Sequence, residues 1–303
     1  MPETVAPQPN SSPRPIVVAV DGSPTSYRAV AWAAVEAELR RLPLEIVIAY
    51  GVEPSREPWT ALGVAERAAV HAEAASVPAE ATRIARHTVP GETVSVTGAA
   101  VDEPVLSALV ARSATARMMV VGDRGRGAIR RAVLGSVSSG LARRAECPVA
   151  VVHGEPDVER GADGPVVVGV DGTANSLPAV RMAFEEASRR KVPLIAVHAW
   201  SDSSGFDLEV LGWDAIRERA DLQLSEWLAD CGDEFPDVTV ERRVSGDTPV
   251  RALLEYADAA QLLVVGTHGR GGLGRLALGS VSTALLHAAA CPVLVVGSRE
   301  TPR

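Results

Sequence analysis

VVGDRGRGAIRRAVLGSVSSGLARRAECPVAVV runs from Val120 to Val152, and VVGTHGRGGLGRLALGSVSTALLHAAACPVLVV runs from Val264 to Val296, 144 residues later. Each stretch holds an apolar run, a glycine-rich segment, a helical pattern and a second apolar run after Cys-Pro. The pattern predicts strand, loop, helix and strand in that order. Because it occurs twice, the chain is predicted to be one α/β unit repeated in tandem.

The repetition extends towards the N-terminus. IVVAVDGSPTS at Ile16–Ser26 is matched by VVVGVDGTANS at Val166–Ser176, 150 residues later. These blocks place two domains at residues 14–153 and 165–298. The segment 154–164 between them is charged and glycine-bearing without apolar periodicity, so it is predicted to be a surface linker.

Size and composition narrow the function classes. A chain of 303 residues and 31.7 kDa is long enough for two domains, and its net charge of −8 argues against a general nucleic-acid binder. No apolar run reaches about 18 residues and no secretory signal is present, which predicts a cytoplasmic protein without a membrane span. Three cysteines without CxxC spacing favour reduced thiols over disulfides or zinc. Residues 1–13 are rich in Pro and polar residues and are predicted to be disordered.

Short Val/Ile-rich runs alternate with helical patterns through each copy, which is typical of βαβ units and a parallel sheet. The fold class is therefore α/β, with two tandem doubly wound domains of five parallel strands flanked by helices. In such sheets, ligands bind at the carboxyl ends of the strands where the winding reverses. In the first copy we predict strands at 16–20, 44–49, 93–99, 118–121 and 149–152, and helices at 26–41, 64–87, 104–112 and 136–145.

The glycine-rich segment has a defined spacing in both copies. Gly122-x-x-Gly125 is followed by nine residues and Gly135-Ser136, and Gly266-x-x-Gly269 is followed by nine residues and Gly279-Ser280. Glycines let backbone amides approach an anion, and a helix start offers unpaired N–H groups with a favourable dipole. The segment is predicted to bind phosphate. The alternative interpretation is a set of tight turns and helix starts without a ligand.

A carboxylate follows the first strand of each copy, as Asp21 and Asp171. At the carboxyl edge of the sheet, it could accept hydrogen bonds from ribose hydroxyls or hold a phosphate-bound Mg²⁺. The alternative is that Asp-Gly-Ser is only a turn leading into an N-capped helix.

With these motifs in both copies, the sequence resembles the universal stress proteins, specifically their tandem-domain, ATP-binding branch of actinobacterial type. The resemblance covers nearly the whole chain apart from the tail and linker. It implies a strand order of 3-2-1-4-5 in each domain and one ATP between the first and fourth strands. We expect this ATP to carry Mg²⁺, held at Asp21 and Asp171. The resemblance also implies a role in stress response.

The resemblance assigns ATP contacts to the strand ends, the glycine loop and the following helix start, with backbone contacts to adenine near Ala49 and Ala199. The residue before the second loop glycine differs between the copies, Arg124 in one and His268 in the other. The candidate residues are Val20, Asp21, Ala49, Val121, Gly122, Arg124, Gly125, Gly135, Ser136, Val137 and Ser138, and then Val170, Asp171, Ala199, Val265, Gly266, His268, Gly269, Gly279, Ser280, Val281 and Ser282.

Other nucleotide motifs fit less well, because Gly-x-x-x-x-Gly-Lys-Ser/Thr is absent and the loop lacks the third glycine of a dinucleotide fingerprint. No obvious catalytic base accompanies the loops, so a binding protein is favoured over an enzyme. Slow ATP hydrolysis and a nucleotide-independent interaction module are the alternatives. The last strands, 149–152 and 293–296, are predicted to pair the domains as a pseudo-dimer, with a homodimer of chains as a weaker expectation.

Overall fold

The computed structural model describes residues 13–51, 64–125, 135–153, 163–199, 213–269 and 278–297, with the backbone alone at 64–75 and 213. The predicted tail lies outside the described residues except for residue 13, and the predicted linker lies outside them except for 163 and 164. Within the described part of the chain, no helix combines the length and apolar character needed to cross a bilayer.

Strands and helices alternate in both halves. The first half contains β1 (Ile16–Ala19), α1 (Pro24–Arg40), β2 (Leu44–Gly51), α2 (Val64–Thr88), β3 (Val96–Pro104), α3 (Val105–Ser113), β4 (Met118–Gly122), α4 (Ser136–Arg144) and β5 (Val149–Val152). The second contains β6 (Val166–Gly169), a 3₁₀ turn (Ala174–Ser176), α5 (Leu177–Arg190), β7 (Leu194–Ala199), α6 (Trp213–Glu234), β8 (Val240–Ser245), α7 (Pro249–Ala257), β9 (Leu262–Gly266), α8 (Ser280–Ala288) and β10 (Val293–Val296).

The strands form one ten-stranded sheet in the order β3-β2-β1-β4-β5-β10-β9-β6-β7-β8. Each half is parallel in the order 3-2-1-4-5, which confirms the predicted fold class. β5 and β10 pair antiparallel, with Val151 opposite Val293 and Val149 opposite Val295, so the predicted pairing of the last strands is present. Because the halves run in opposite directions, their carboxyl edges lie on opposite edges of the shared sheet.

Helices cover both faces of the sheet. On one face, α1, α2, α5 and α6 enclose a core that is continuous across both halves and includes Phe184. On the other, α3, α4, α7 and α8 enclose a second core around Leu141 and Leu285. Val17 and Val18 of β1 are both buried, one in each core, which explains why the strand is apolar along its length.

The first helix begins two residues before its predicted start, because its cap lies in the turn after β1. The Ser23 hydroxyl accepts a hydrogen bond from the Ser26 amide at 3.2 Å, and Pro24 occupies the first helical turn. The helix ends at Arg40, and the capping residue Arg41 is in the left-handed conformation, with φ of 53°. Local chemistry therefore fixes both ends of α1 and the turn that precedes it.

The third strand differs from its prediction at 93–99, since β3 runs from Val96 to Pro104. Pairing with β2 determines its extent: Leu44 faces Val96, and Gly51 faces Pro104. β3 lies at the edge of the sheet and most of its residues are exposed or half-buried, so its apolar pattern is weak. Tertiary pairing rather than local sequence sets its boundaries.

Four charged side chains are buried together where α1 meets α5, a feature that the sequence analysis missed. Arg40 Nε lies 3.3 Å from Glu36 Oε2, and Arg40 also pairs with Glu186. Arg190 pairs with Glu36 and with Glu186. Burial raises the pKa of Glu36, and the charge of Arg190 acts in the opposite direction. The positions are related by the same 150-residue offset as the first strands, so this four-residue charge cluster is symmetrical between the halves.

Candidate functional site

The strand order places the predicted site where the winding reverses. β1 and β4 are neighbours, so Asp21, which follows β1, and Gly122, which ends β4, lie at the same carboxyl edge. β6 and β9 bring Asp171 and Gly266 together in the same way. Ligands of doubly wound sheets bind at such positions.

The aspartate after each first strand is held by its own turn. Asp21 Oδ1 accepts a hydrogen bond from the Ser23 amide at 3.0 Å. Asp171 Oδ1 accepts from the amide and from the hydroxyl of Thr173, both at 2.8 Å. Gly22 and Gly172 have φ of 80° and 74°, a conformation that favours glycine. The predicted turn is therefore present, and Oδ1 of each aspartate stabilises it. Oδ2 of each aspartate points towards the glycine loop.

The second carboxylate oxygen borders the glycine loop. A Cβ added at Gly125 would overlap Asp21 Oδ2, whereas one at Gly269 would lie 3.4 Å from Asp171 Oδ2. The fold therefore brings the predicted carboxylate and the second loop glycine into contact in the first half. The second half has the same arrangement with more clearance.

The start of the helix after each loop is hydrogen-bonded to the residue that follows the strand, at α4 and β4 in the first half and at α8 and β9 in the second. Gly135 caps α4, and its amide donates to the Asp123 carbonyl at 2.8 Å. Gly279 caps α8, and its amide donates to the Thr267 carbonyl at 2.7 Å. The amides of the first helical turn have no partner within their own helix, so each start favours an anion.

The four predicted phosphate-binding serines divide into two structural classes. Ser136 and Ser280 open their helices and are exposed. Ser138 and Ser282 are buried, and each donates to the carbonyl of the first loop glycine, Gly122 at 2.7 Å or Gly266 at 2.6 Å. The family resemblance gives these two hydroxyls to phosphate, and in the structure they connect the helix to the strand end. Ser136 and Ser280 are therefore the two hydroxyls that are exposed at the helix starts.

The first loop glycine has a packing role in addition to its predicted one. A Cβ at Gly122 would lie 3.1 Å from the carbonyl group of Thr25 and 3.3 Å from the Ser26 amide. At Gly266 it would lie 3.3 Å from the Asn175 carbonyl oxygen. Glycine is needed here so that the end of β4 can approach the backbone at the start of α1, and a substitution at Gly122 would disturb the fold as well as a ligand.

The two middle residues of the loop differ in charge between the halves. Asp123 is buried and pairs with Arg124, with 2.8 Å between Oδ2 and Nε. The Arg124 carbonyl accepts from the Thr25 hydroxyl at 2.5 Å. In the second half, His268 Nδ1 lies 3.0 Å from the hydroxyl of Thr267. The second residue thus orients the third in both loops, but only the first loop contains a carboxylate.

The remaining predicted residues are apolar and lie around the strand ends. Val20 and Val170 are anchored by their amides, which donate to the carbonyls of Val47 and Val197 at 2.9 Å. The side chains of four of the predicted residues are buried, so a ligand could contact these residues only through the backbone: Val20, Val121, Val170 and Val265. Half-buried positions are Ala49, Ala199, Val137 and Val281.

Parts of the predicted site fall outside the described residues, including the nine-residue stretches between the second and third loop glycines. In these stretches, the residues outside are 126–134 in the first half, between Gly125 and Gly135, and 270–277 in the second, between Gly269 and Leu278. Among the described residues, no group of His, Cys, Asp or Glu is arranged to hold a metal ion. A Mg²⁺ ion at Asp21 or Asp171 would take its other ligands from phosphate oxygens and water.

His198 is a polar residue near the second site that the sequence analysis missed. It is buried in β7, and its Nδ1 donates to the Val170 carbonyl at 2.7 Å, directly before Asp171. Because a carbonyl only accepts, this bond places a proton on Nδ1. Ile48 occupies the matching position of β2, so the internal repeat gave no signal for it.

Comparisons with known proteins identify close relatives of the whole chain. The model of the universal stress protein family matches residues 13–153 and 164–297. A universal stress protein of Mycobacterium tuberculosis H37Rv is 44% identical over 287 residues, covering 92% of this chain and 96% of the relative. A second from the same strain is 39% identical over 304 residues, covering 95% and 96%. The crystal structure of a universal stress protein from Archaeoglobus fulgidus is similar in fold, with a TM-score of 0.68, 19% identity, and coverage of 94% and 98%.

Proposed function

Because the chain belongs to the universal stress protein family, we propose that it binds one ATP molecule in each half and acts in stress adaptation as a nucleotide-responsive protein. One observation carries this proposal: at the junction of β1 and β4, Oδ2 of Asp21 meets Gly125 next to the open start of α4. The same junction recurs at β6 and β9 on the opposite edge of the sheet. The stress role rests on the names of the relatives.

The residues divide the nucleotide between them. The first-turn amides and the Ser136 hydroxyl of α4 would hold phosphate, and Asp21 would receive ribose hydroxyls or a Mg²⁺ bound to the phosphates. The backbone near Ala49, at the end of β2, would border the adenine. In the second half, Ser280, Asp171 and Ala199 take the same positions. Mg²⁺, when bound, would neutralise phosphate charge.

Binding fits the described residues better than turnover. Hydrolysis requires a group that positions water and another that stabilises charge on the γ-phosphate. Of the two carboxylates near the first loop, Asp123 is buried against Arg124, and Asp21 is held by the Ser23 amide. We therefore propose ATP as a bound ligand, with slow hydrolysis as the alternative that a turnover assay would detect.

The direct test is to purify the protein without added nucleotide, denature it and identify released small molecules by chromatography. ATP at up to two per chain is the expected result. Protein without nucleotide should then bind ATP in calorimetry with Mg²⁺. Absence of both released nucleotide and measurable binding would refute the proposal.

A charge change at the helix start assigns the site. Ser136→Asp adds a carboxylate at a position where helices favour acidic residues, so folding should be retained while phosphate is repelled. We expect stoichiometry to fall from two ATP to one, and Ser280→Asp to have the same effect on the other half. Ser107→Asp is the matched control, because Ser107 is an exposed serine in the first turn of α3, another nine-residue helix. Two ATP molecules bound to the double variant Ser136→Asp/Ser280→Asp would show that the helix starts are not the phosphate sites.

A further inference from the structure

A histidine of the first half holds the C-terminal end of a helix in the second half. His153 follows β5, and it is buried against α8 and the turn before β10. Its Nε2 lies 2.8 Å from the Leu286 carbonyl oxygen, and its Nδ1 lies 3.0 Å from the Cys291 carbonyl oxygen. We call this pair of contacts the His153 grip.

The chemistry of the His153 grip suits a helix end. Carbonyl oxygens only accept hydrogen bonds, so a ring N–H of His153 is the donor to the end of the helix. The Leu286 carbonyl belongs to the last turn of α8, where carbonyl groups lack partners within the helix.

The opposite end of α8 is the proposed phosphate site of the second half. α8 has nine residues, so its ends are about 13 Å apart at 1.5 Å per residue. At its start, the Ser282 hydroxyl is bonded to the Gly266 carbonyl, and Ser280 is exposed. A helix this short moves as a unit, so a hold on its last turn also fixes its first.

On the other side, the His153 grip connects to the first site. The Asp123 amide, in the first glycine loop, donates to the Val152 carbonyl at 2.9 Å, and His153 is the next residue. The hydrogen-bonded path therefore runs from the loop of one site, through the end of β5 and the ring of His153, to the helix that opens the other site.

The reverse path is interrupted by a glycine. The Thr267 amide donates to the Val296 carbonyl at 3.0 Å, which repeats the first part of the path. The next residue is Gly297, and a Cβ added there would meet nothing within 4 Å. Gly297 has no side chain to hold α4, so among the described residues this contact is seen at α8 and not at α4.

We propose that His153 couples the two ATP sites, so that occupancy of the first site raises the affinity of the second. This inference rests on the proposed ATP binding. ATP bound at the first site would restrain Asp123 and, through its hydrogen bond to Val152, the His153 grip, so that less restraint of α8 remains to be gained when the second ATP binds. By linkage, the second ATP raises the affinity of the first to the same degree. His153 is a positioning residue in this scheme, since it acts through α8.

The test compares the ATP affinity of the second site in the unmodified chain and in Ser136→Asp, whose first site is disabled. Calorimetry should show that Ser136→Asp lowers the ATP affinity of the second site about 5-fold or more. A factor of about 5 is the lower end of typical allosteric coupling. In chains that also carry His153→Ala, the ratio should fall to near one. His287→Ala, an exposed histidine on the same helix, is the matched control and should retain the full ratio.

A nucleotide-free measurement separates the two proposals. His153→Ala should speed amide hydrogen exchange in the last turn of α8, while α4 exchanges as in the unmodified chain. If this occurs but no ATP binds, the ATP proposal fails and the coupling fails with it, while the grip itself stands. The ratio to examine is the second-site ATP affinity without Ser136→Asp divided by the affinity with it. If both sites bind ATP but this ratio is one when His153 is present, or stays high when His153 is replaced by alanine, the coupling is overturned and ATP binding stands.

Discussion

The two halves of this chain share one scaffold but differ at the positions that surround their sites. The halves are alike in sheet order, in the start of the loop-following helix and in the charge cluster formed by Glu36, Arg40, Glu186 and Arg190. They differ inside the glycine loop, where Asp123-Arg124 is replaced by Thr267-His268, and after the last strand, where His153 is replaced by Gly297. The charge cluster and the pairing of β5 with β10 hold the halves together, and the differences in the loops make the two sites chemically distinct.

The largest effect is expected at the charge cluster. Arg40→Met leaves the two buried carboxylates of Glu36 and Glu186 with one guanidinium, and removing one member of a buried ion pair typically costs about 3–5 kcal/mol. Arg190→Met removes the equivalent partner and should cost the same. Urea unfolding followed by circular dichroism measures the free energy of unfolding.

An exposed pair provides the control for the cluster. Arg242→Met removes the partner of Asp221 at the surface, where the loss should stay below about 1 kcal/mol. The losses in unfolding free energy of Arg40→Met and Arg190→Met should agree to within the loss measured for Arg242→Met. A larger difference would show that the charge cluster is not symmetrical in solution.

The next effect distinguishes the clearance at the two aspartates. Gly125→Ala would force Asp21 to move, whereas Gly269→Ala places a methyl group at an ordinary contact distance of 3.4 Å from Asp171. We expect Gly125→Ala to lower the ATP affinity of the first site at least about tenfold, or about 1.4 kcal/mol. Gly269→Ala should change the ATP affinity of the second site little. Calorimetry on each variant in a Ser280→Asp or Ser136→Asp background isolates the site. Equal losses in both would mean that the two loops have the same geometry when ATP is bound.

The fold was predictable from sequence because its main signals are local and occur twice. Apolar runs bounded by turn residues placed β1, β4 and β5 within one residue of their observed ends. The contact between Asp21 and the glycine loop followed from the order of the strands, since neighbouring parallel strands share a carboxyl edge. For a duplicated α/β unit, hydrophobic periodicity and one family resemblance are enough to predict the strand order and which strand ends meet.

What the sequence did not predict depends on contacts between distant residues. Glu36 and Arg40 look like an ordinary exposed helical pair until α5 is packed against them. The burial of Ser138 depends on how α4 sits on β4, and the role of His153 depends on the antiparallel pairing of β5 with β10. None of these contacts leaves a local pattern of residue types, which is why spacing alone gave no indication of them.

A smaller effect is expected from exchanging the loop residues between the halves. Asp123→Thr imports the second-half residue and removes a buried negative charge from the proposed phosphate loop, while Arg124 stays. Since like charge repels phosphate, ATP affinity at the first site should rise about 3-fold to 10-fold. Calorimetry in a Ser280→Asp background measures it, and Thr267→Asp should have the opposite effect at the second site. A drop in affinity on Asp123→Thr would show that Asp123 serves the ligand by orienting Arg124.

The smallest difference is expected at two cysteines that occupy matching positions. Cys147 and Cys291 precede β5 and β10, and burial raises the pKa of each thiol to about 12. At pH 8 about one thiol in ten thousand would be ionised, so both should react with iodoacetamide equally slowly in the folded chain and rapidly in urea. Mass spectrometry of labelled peptides compares the two rates within one sample. Because Cys291 also gives its carbonyl to His153, His153→Ala should accelerate Cys291 alone. Acceleration of both thiols would mean that the variant loosens the whole interface instead of one end of α8.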